Sequence, residues 1–257
     1  MRARTSGQSG GVACKSATGA RWAGALLLAC ACACSDASAP PAVGAVEAAL
    51  AAPATRSAPA AQPGFEYKDF PVATASATTD AGVTFQGQAR ALLGDGIAVG
   101  QTLRDAALTT TDNALLNLAS TSGRVRIISV VPSLDTPVCE QQTHYLSERS
   151  GSLASDVELV TVSIDTPFAQ ARFARDAHIK NMTFLSDYAE RQFGMAHGLV
   201  VQQDAPVLAR AMMVVDQNNV IRYLQVTPEL VSMPDMEAAL NFARQLVQET
   251  KDAAKRS

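Results

Sequence analysis

One cysteine stands alone in the body of the chain, and its neighbours could make it a nucleophile. Cys139 closes the segment Pro132-Ser-Leu-Asp-Thr-Pro-Val-Cys139, which follows an apolar run and precedes a helix-like sequence. A thiol in the first turn of a helix meets unpaired backbone N–H groups and the positive end of the helix dipole, and both favour a thiolate. Thr136 can turn its hydroxyl toward the same place, and Pro132 can fix the loop and cover a pocket. The spacing predicts a reactive thiolate at Cys139.

The other four cysteines all fall within the first 34 residues, at Cys14, Cys30, Cys32 and Cys34. The chain has no Cys-x-x-Cys pair and no paired Cys/His cluster, so neither a zinc site nor a disulfide framework is expected in its body. A lone cysteine in a globular domain is often an inert core residue. The interpretation of Cys139 therefore depends on the residues around it.

Residues 1–34 have the pattern of a signal peptide with lipobox-like cysteines. Basic residues precede a short apolar stretch, which is too short to cross a membrane as a helix. Leu27-Leu28-Ala29-Cys30 resembles the lipobox of bacterial lipoproteins, which predicts lipidation of Cys30. Cys32 and Cys34 also follow alanine, so the modified residue stays open, and an ordinary cleaved signal is the alternative. We expect an exported protein, lipid-anchored on the periplasmic side of a bacterial membrane.

Residues 35–82 are interpreted as an Ala/Pro-rich tether, because such a composition cannot bury enough apolar surface to become ordered. Within this range, Phe65, Tyr67 and Phe70 could either dock onto the domain or belong to the linker. Residues 83–257 are predicted to form the folded domain.

The elements that must position Cys139 alternate between strands and helices. Val83–Gly87 and Ala89–Leu93 predict a β-hairpin, and Arg126–Val131 predicts a central strand buried on both faces. Further elements are predicted as helix 139–149, strand 157–163, helix 168–178, a short strand at 183–185, helix 189–197, a hairpin of strands 211–215 and 220–226, and a last helix from 234. This order predicts an α/β, thioredoxin-like fold with a mixed β-sheet flanked by helices.

The Cys139 segment also resembles a known family. Pro132, Thr136 and Cys139 match the Pro-x-x-x-Thr-x-x-Cys motif of peroxiredoxins, and the whole octapeptide looks like the bacterial thiol peroxidase branch. Three more segments are similar to that branch in the same order: Asp165–Phe173, Leu208–Asp216 and Pro234–Leu240. The likeness extends from about Val83 to Val247.

The resemblance implies a peroxidase that uses no metal and no organic cofactor. Cys139 would attack a hydroperoxide and become a sulfenic acid, while Thr136 and Pro132 shape the pocket. Arg210 would lie beside Cys139 and stabilise both the thiolate and the leaving oxygen, a role that suits a permanently charged planar guanidinium. The family also implies that a homodimer can form through the face near the active site.

The sequence departs from the branch at Ala174, where these enzymes usually carry a second, resolving cysteine. An external thiol, from a thioredoxin-like protein or a small molecule, is therefore expected to reduce the sulfenic acid. Cys32 or Cys34 of the tether is the less favoured alternative.

Two other functions compete with the peroxidase. A thiol–disulfide exchange protein would need a cysteine near Cys139, typically at position 142, which is Gln. A redox sensor or a non-enzymatic lipoprotein would fit the missing resolving cysteine. Nucleic-acid binding is not expected, because the net charge is -3 and there is no long basic run.

Overall fold

The computed structural model describes residues 64–256, with positions 152 and 154 as backbone only. In chain order the elements are β1 (Val83–Phe85), β2 (Gln88–Arg90), β3 (Leu92–Leu93), β4 (Ala107–Thr110), β5 (Leu115–Asn117), β6 (Val125–Val130), α1 (Pro137–Arg149), β7 (Val157–Ser163), α2 (Pro167–Asp176), β8 (Thr183–Ser186), α3 (Gln192–Ala196), β9 (Val200–Val201), β10 (Val207–Leu208), β11 (Ala211–Val215), β12 (Ile221–Val226) and α4 (Met236–Arg256).

A seven-stranded mixed sheet, in the order β12-β11-β6-β7-β8-β4-β5, forms the centre of the domain. The three strands β6, β7 and β8 are parallel, and β11 pairs antiparallel to β6. Every residue of β6 is buried, as its continuous apolar run predicts. The predicted mixed sheet flanked by helices is confirmed.

Side chains alternate between the two faces of the sheet. On β6, Ile127 packs in one apolar cluster with residues of α1 and α4, whereas Ile128 packs in another with β4, β9 and α3. Met212 and Met213 of β11 likewise pack in different clusters, Met212 with Ile127 and Met213 with Ile128. This two-residue period places α1, which carries Cys139, and α4 together on one face of the sheet.

The predicted N-terminal hairpin is present, but its second strand is shorter than expected. Strands β1 and β2 pair antiparallel through a two-residue turn at Gln86 and Gly87. Both turn residues have positive φ, 50° and 76°, which explains the glycine. Leu92 and Leu93 leave the hairpin and pair with β9 instead. Strands β4 and β5, which follow β8 in the sheet and place β5 at its edge, were not predicted.

Residues 64–77, named here the strap, run along the domain surface. Phe65 stacks on His144 of α1 with ring centroids 4.1 Å apart. The backbone of Lys68 exchanges two hydrogen bonds with the side-chain amide of Gln141, at 2.7 and 2.9 Å. Ala73 N–H donates to the carbonyl of Met233 at 2.8 Å. Phe65 and Tyr67 therefore dock onto the domain, which is one of the two alternatives that the sequence leaves open.

The predicted signal peptide, the lipidation at Cys30 and the tether as far as residue 63 lie outside the described residues. Between residues 64 and 256, no helix combines the length and apolarity needed to cross a membrane.

Candidate active site

The loop between β6 and α1 delivers Cys139 to the first turn of the helix. Thr136 has extended backbone angles (φ −138°, ψ 144°) and is the N-cap, and Pro137 occupies the first helical position, where its missing N–H costs nothing. The first helical hydrogen bond runs from Glu140 N–H to the Thr136 carbonyl at 2.9 Å. The N–H groups of Val138 and Cys139 precede that bond, so the positive end of the helix lies at the thiol.

Arg210 contacts the thiol directly. Its Nη2 lies 3.3 Å from Cys139 Sγ, and both side chains are buried, with 2% and 0% of their surfaces exposed. The same guanidinium donates from Nε to the Leu230 carbonyl at 3.0 Å. Two residues that are 71 positions apart in the sequence are thus held together inside the domain.

Gln142 holds the other side of Arg210 and was not predicted as a site residue. Its Oε1 accepts from Arg210 Nη1 at 2.8 Å, and its Nε2 donates to Ser129 Oγ at 2.8 Å. Gln142 lies one helical turn after Cys139, so the two side chains share a face of α1. A polar side chain at that spacing, on a helix face that is expected to be buried, is the signal that could have identified Gln142.

A cavity of about 340 Å³ lies against Arg210, and the buried Cys139 is not part of its lining. Pro132, Thr136 and Arg210 all line it, so three of the four residues predicted for the site share one pocket. The remaining wall is mainly apolar: Phe85, Pro137, Val138, Val207, Leu230 and Val231, together with the polar Gln86, Ser133 and Gln203.

The β1–β2 hairpin is fastened at the edge of this cavity. The Glu229 carboxylate accepts from the N–H groups of Gln86 and Gly87, both at 3.0 Å, and from Thr84 Oγ1 at 2.7 Å. Glu229 precedes Leu230, whose carbonyl holds Arg210 Nε. One carboxylate thus ties the hairpin turn to the segment that orients the arginine.

The hydroxyl of Thr136 has its own hydrogen-bond partner in the loop. It donates to the Ser133 carbonyl at 2.9 Å, because the tight turn before α1 brings that oxygen within reach. The same oxygen also has lone pairs, which can accept a hydrogen bond from a bound molecule.

Comparisons with known proteins agree with this geometry. Residues 98–240 match the family model described as Redoxin. A thiol peroxidase of Halalkalibacterium halodurans is 37% identical over 64% of this chain and 98% of its own length. One from Streptococcus pneumoniae is 39% identical over 64% and 99%.

The chain belongs to the thiol peroxidase branch of the redoxin family. A solved peroxiredoxin-like protein from Aquifex aeolicus superposes with a TM-score of 0.60 at 31% identity, covering 67% of this chain and 99% of its own. A thiol peroxidase from Chromobacterium violaceum, at 19% identity and a TM-score of 0.59, shares the fold over 66% and 97% of the two chains. The predicted thioredoxin-like fold and the predicted family are confirmed.

In this thiol peroxidase domain, Ala174 lies on α2 and packs against the small apolar cluster that contains Cys139. Cys139 is the single cysteine between residues 64 and 256. Arg172 lines a separate cavity of about 510 Å³, together with Phe65 and His144. Arg172 does not line the cavity beside Arg210.

The histidines lie in ordinary structural settings. Burial lowers the pKa of His144, which stacks on Phe65. Burial also lowers the pKa of His197 to about 4, so its ring is neutral at pH 7 and accepts from Arg104 N–H at 3.1 Å. In the part of the chain that the structure describes, no three His, Cys, Asp or Glu side chains are grouped as a metal site.

Proposed function

We propose that this thiol peroxidase reduces hydrogen peroxide and organic hydroperoxides with Cys139. The observation that carries the proposal is the 3.3 Å contact between Cys139 Sγ and Nη2 of Arg210, which also lines a cavity. A fixed positive charge favours the thiolate over the thiol, and a thiolate is the nucleophilic form.

In the first step the thiolate attacks the terminal oxygen of the hydroperoxide. The S–O bond forms as the O–O bond breaks, sulfur loses two electrons, and the departing alkoxide takes a proton to become an alcohol. The product at Cys139 is a sulfenic acid. Arg210 has further N–H donors beyond its three described contacts, and these can stabilise charge on the departing oxygen. Thr136 Oγ1 can accept the hydroperoxide O–H and so orient the peroxide for attack.

The cavity wall supports organic hydroperoxides as substrates. Apolar side chains from the hairpin, from α1 and from the segment after β12 dominate its lining. An alkyl substituent would bury apolar surface there, at roughly 25 cal/mol for each Å² removed from water.

In the second half of the cycle we propose an external thiol as the reductant. One thiol displaces hydroxide from the sulfenic sulfur to form a mixed disulfide. A second thiol then releases Cys139, so that two thiols become one disulfide and one water is formed. Ala174 lies close to the Cys139 cluster and offers no sulfur, which supports an external partner, either a thioredoxin-like protein or a small thiol.

Stopped-flow peroxide reduction by the full chain tests the proposal. Cys139→Ser should abolish reduction, because a serine hydroxyl is not an anion at neutral pH and cannot be oxidised in this way. The matched control replaces Cys32 and Cys34 with serine and leaves Cys139, and it should keep the full rate and turn over with added thiol. Activity retained by Cys139→Ser would refute the assignment, and loss of turnover in the control would identify the tether cysteines as the resolving thiols.

We also propose export and lipid anchoring at Cys30, on the basis of the sequence pattern alone. Mass spectrometry of the membrane fraction should find an N-terminal lipidated cysteine, and Cys30→Ala should abolish that modification. A lipidated peptide that begins at Cys32 or Cys34 would move the site, and an unmodified N-terminus would reject the anchor. The homodimer and the absence of nucleic-acid binding stay predictions from the sequence.

A further inference from the structure

The carboxylate of Asp165 holds the loop that leads into the reactive helix. Asp165 lies two residues after β7, beside the end of β6. Its Oδ1 accepts from Ser133 Oγ at 2.7 Å, and its Oδ2 accepts from Leu134 N–H at 2.7 Å. Two consecutive residues of the Pro132–Cys139 segment therefore depend on one side chain from a different loop.

These two residues determine where the site residues lie. The Ser133 carbonyl receives the Thr136 hydroxyl at 2.9 Å, so the position of Ser133 fixes the rotamer of Thr136. Leu134 is buried and packs in the same small cluster as Cys139. A shift of the Ser133–Leu134 pair would therefore move Thr136 and loosen the packing around the thiol.

Asp165 acts from behind the loop and touches no reacting atom. Pro132, Ser133 and Thr136 line the cavity beside Arg210, whereas Asp165 lines the separate cavity between α1 and α2. One side of the loop thus faces the cavity beside Arg210, and the carboxylate of Asp165 holds the loop from its other side.

Asp165 is itself braced by the end of its strand. Ser163 Oγ donates to Asp165 Oδ2 at 2.7 Å and accepts from the buried Gln170 Nε2 at 2.9 Å. The Ser186 hydroxyl of β8 donates to the Asp165 carbonyl. The side chain of Asp165 is therefore held from the end of β7 and its backbone from the end of β8, which gives a rigid base for the loop.

We propose that Asp165 is a positioning residue for peroxide reduction: it holds Ser133 and Leu134 so that Thr136 can orient the hydroperoxide against the Cys139 thiolate. The inference rests on the proposed function. Attack on an O–O bond needs an aligned substrate, whereas alkylation by a small electrophile needs only the thiolate and access. Loss of Asp165 should therefore affect the two reactions unequally.

The experiment compares two rate constants in the full chain, peroxide reduction and iodoacetamide alkylation of Cys139. Asp165→Ala should slow peroxide reduction by about 100-fold and alkylation by less than about threefold, because a displacement of roughly 1 Å can cost that much in an oriented reaction. Asp165→Asn keeps one acceptor for Leu134 N–H and can donate to Ser133 Oγ, so it should recover to within about tenfold of the unsubstituted rate.

Asp216→Asn is the matched control. Asp216 also holds a turn, accepting from the N–H groups of Asn218 at 2.8 Å and Val220 at 3.0 Å, but it follows β11 at the opposite end of the sheet. This variant should lose stability with neither rate constant changed. Thermal unfolding is measured for every variant, so that rate constants are compared only between folded proteins. If Asp165→Ala does not fold, the comparison is made with Asp165→Asn.

The outcomes separate the two hypotheses. An unsubstituted protein that does not consume peroxide would refute the proposed function. If the unsubstituted protein is active, two results would refute the positioning role alone. Asp165→Ala could have the same two rate constants as the unsubstituted protein, or it could lose both to the same extent.

Discussion

Two buried arginines lie at opposite ends of the same pair of strands. Arg210 immediately precedes β11, whose first residue pairs with Val130 at the end of β6, and Arg126 lies near the start of β6 opposite Val215. Their exposed fractions are 2% and 0%. Burial of a guanidinium is therefore common to both ends of the sheet, and only its partners distinguish them.

Arg126 is surrounded by neutral oxygens. It donates to the Leu118 carbonyl at 2.7 Å, to Thr121 Oγ1 at 2.8 Å and to Asn219 Oδ1. Burial lowers the pKa of Arg126, and the carboxylates of Glu158 and Asp216 oppose that shift. These contacts join three segments at one end of the domain, which is a structural task.

Arg210 also donates to two neutral oxygens, but its third described partner is a sulfur that can ionise and be oxidised. A cavity opens beside it, whereas Arg126 lines none of the cavities described above. A buried arginine alone therefore does not mark a functional site. An ionisable partner and an opening for a ligand are the distinguishing features.

Replacing Arg210 should give the largest effect on chemistry. Arg210→Met should slow peroxide reduction by about 100- to 1000-fold, because it removes the charge that stabilises both the thiolate and the departing oxygen. The second-order rate constant from stopped-flow measures this, and alkylation of Cys139 at neutral pH should slow as well. A variant that reduced peroxide at the original rate would erase the distinction between the two arginines.

Replacing Arg126 should instead affect stability. Arg126→Met leaves the Leu118 carbonyl and the Asn219 side chain without their cation, which should cost about 3 kcal/mol and lower the melting temperature by roughly 10 °C. The peroxide rate constant of the folded protein should not change. Calorimetry and stopped-flow on the same sample measure both quantities, and a large loss of rate without unfolding would contradict the structural role.

Gln142 should give the smallest effect of the three. Gln142→Leu removes one hydrogen bond to Arg210 but leaves its contacts with Leu230 and Cys139, so the peroxide rate should fall about tenfold, equivalent to roughly 1.4 kcal/mol. Gln141→Leu is the control, since the neighbouring amide binds the strap instead. Equal losses in both variants would mean that α1 as a whole, rather than the Arg210 contact, is disturbed.

The sequence predicts well where a pattern is local. The apolar run of β6, the proline before Cys139 and the Val157–Ser163 strand each carry their own signal, and the structure places these elements within one or two residues of the prediction. The pairing of Arg210 with Cys139 came from resemblance, because nothing local relates two residues 71 positions apart.

What escaped prediction depends on long-range contacts. Strands β4 and β5 have only four and three residues, so an alternation of apolar and polar side chains is too short to be recognised, and their pairing with β8 and with each other is seen only in the folded chain. Gln142 and Asp165 are polar residues of types usually found at the surface, and only the folded chain shows what they bind. The strap likewise becomes ordered through partners on α1 and near Met233, far from it in sequence.

The strap also has a mechanical consequence. Its contacts follow one another along the chain: Phe65 and Lys68 bind α1, and only then do Ala73 and Ala77 reach the segments beside α4 and β12. Tension applied to the chain from its N-terminal side would therefore break these contacts one after another, beginning with the contact nearest the N-terminus. The first load would fall on the helix that carries Cys139, and the central sheet would bear force only afterwards, through the strap's contacts with β12.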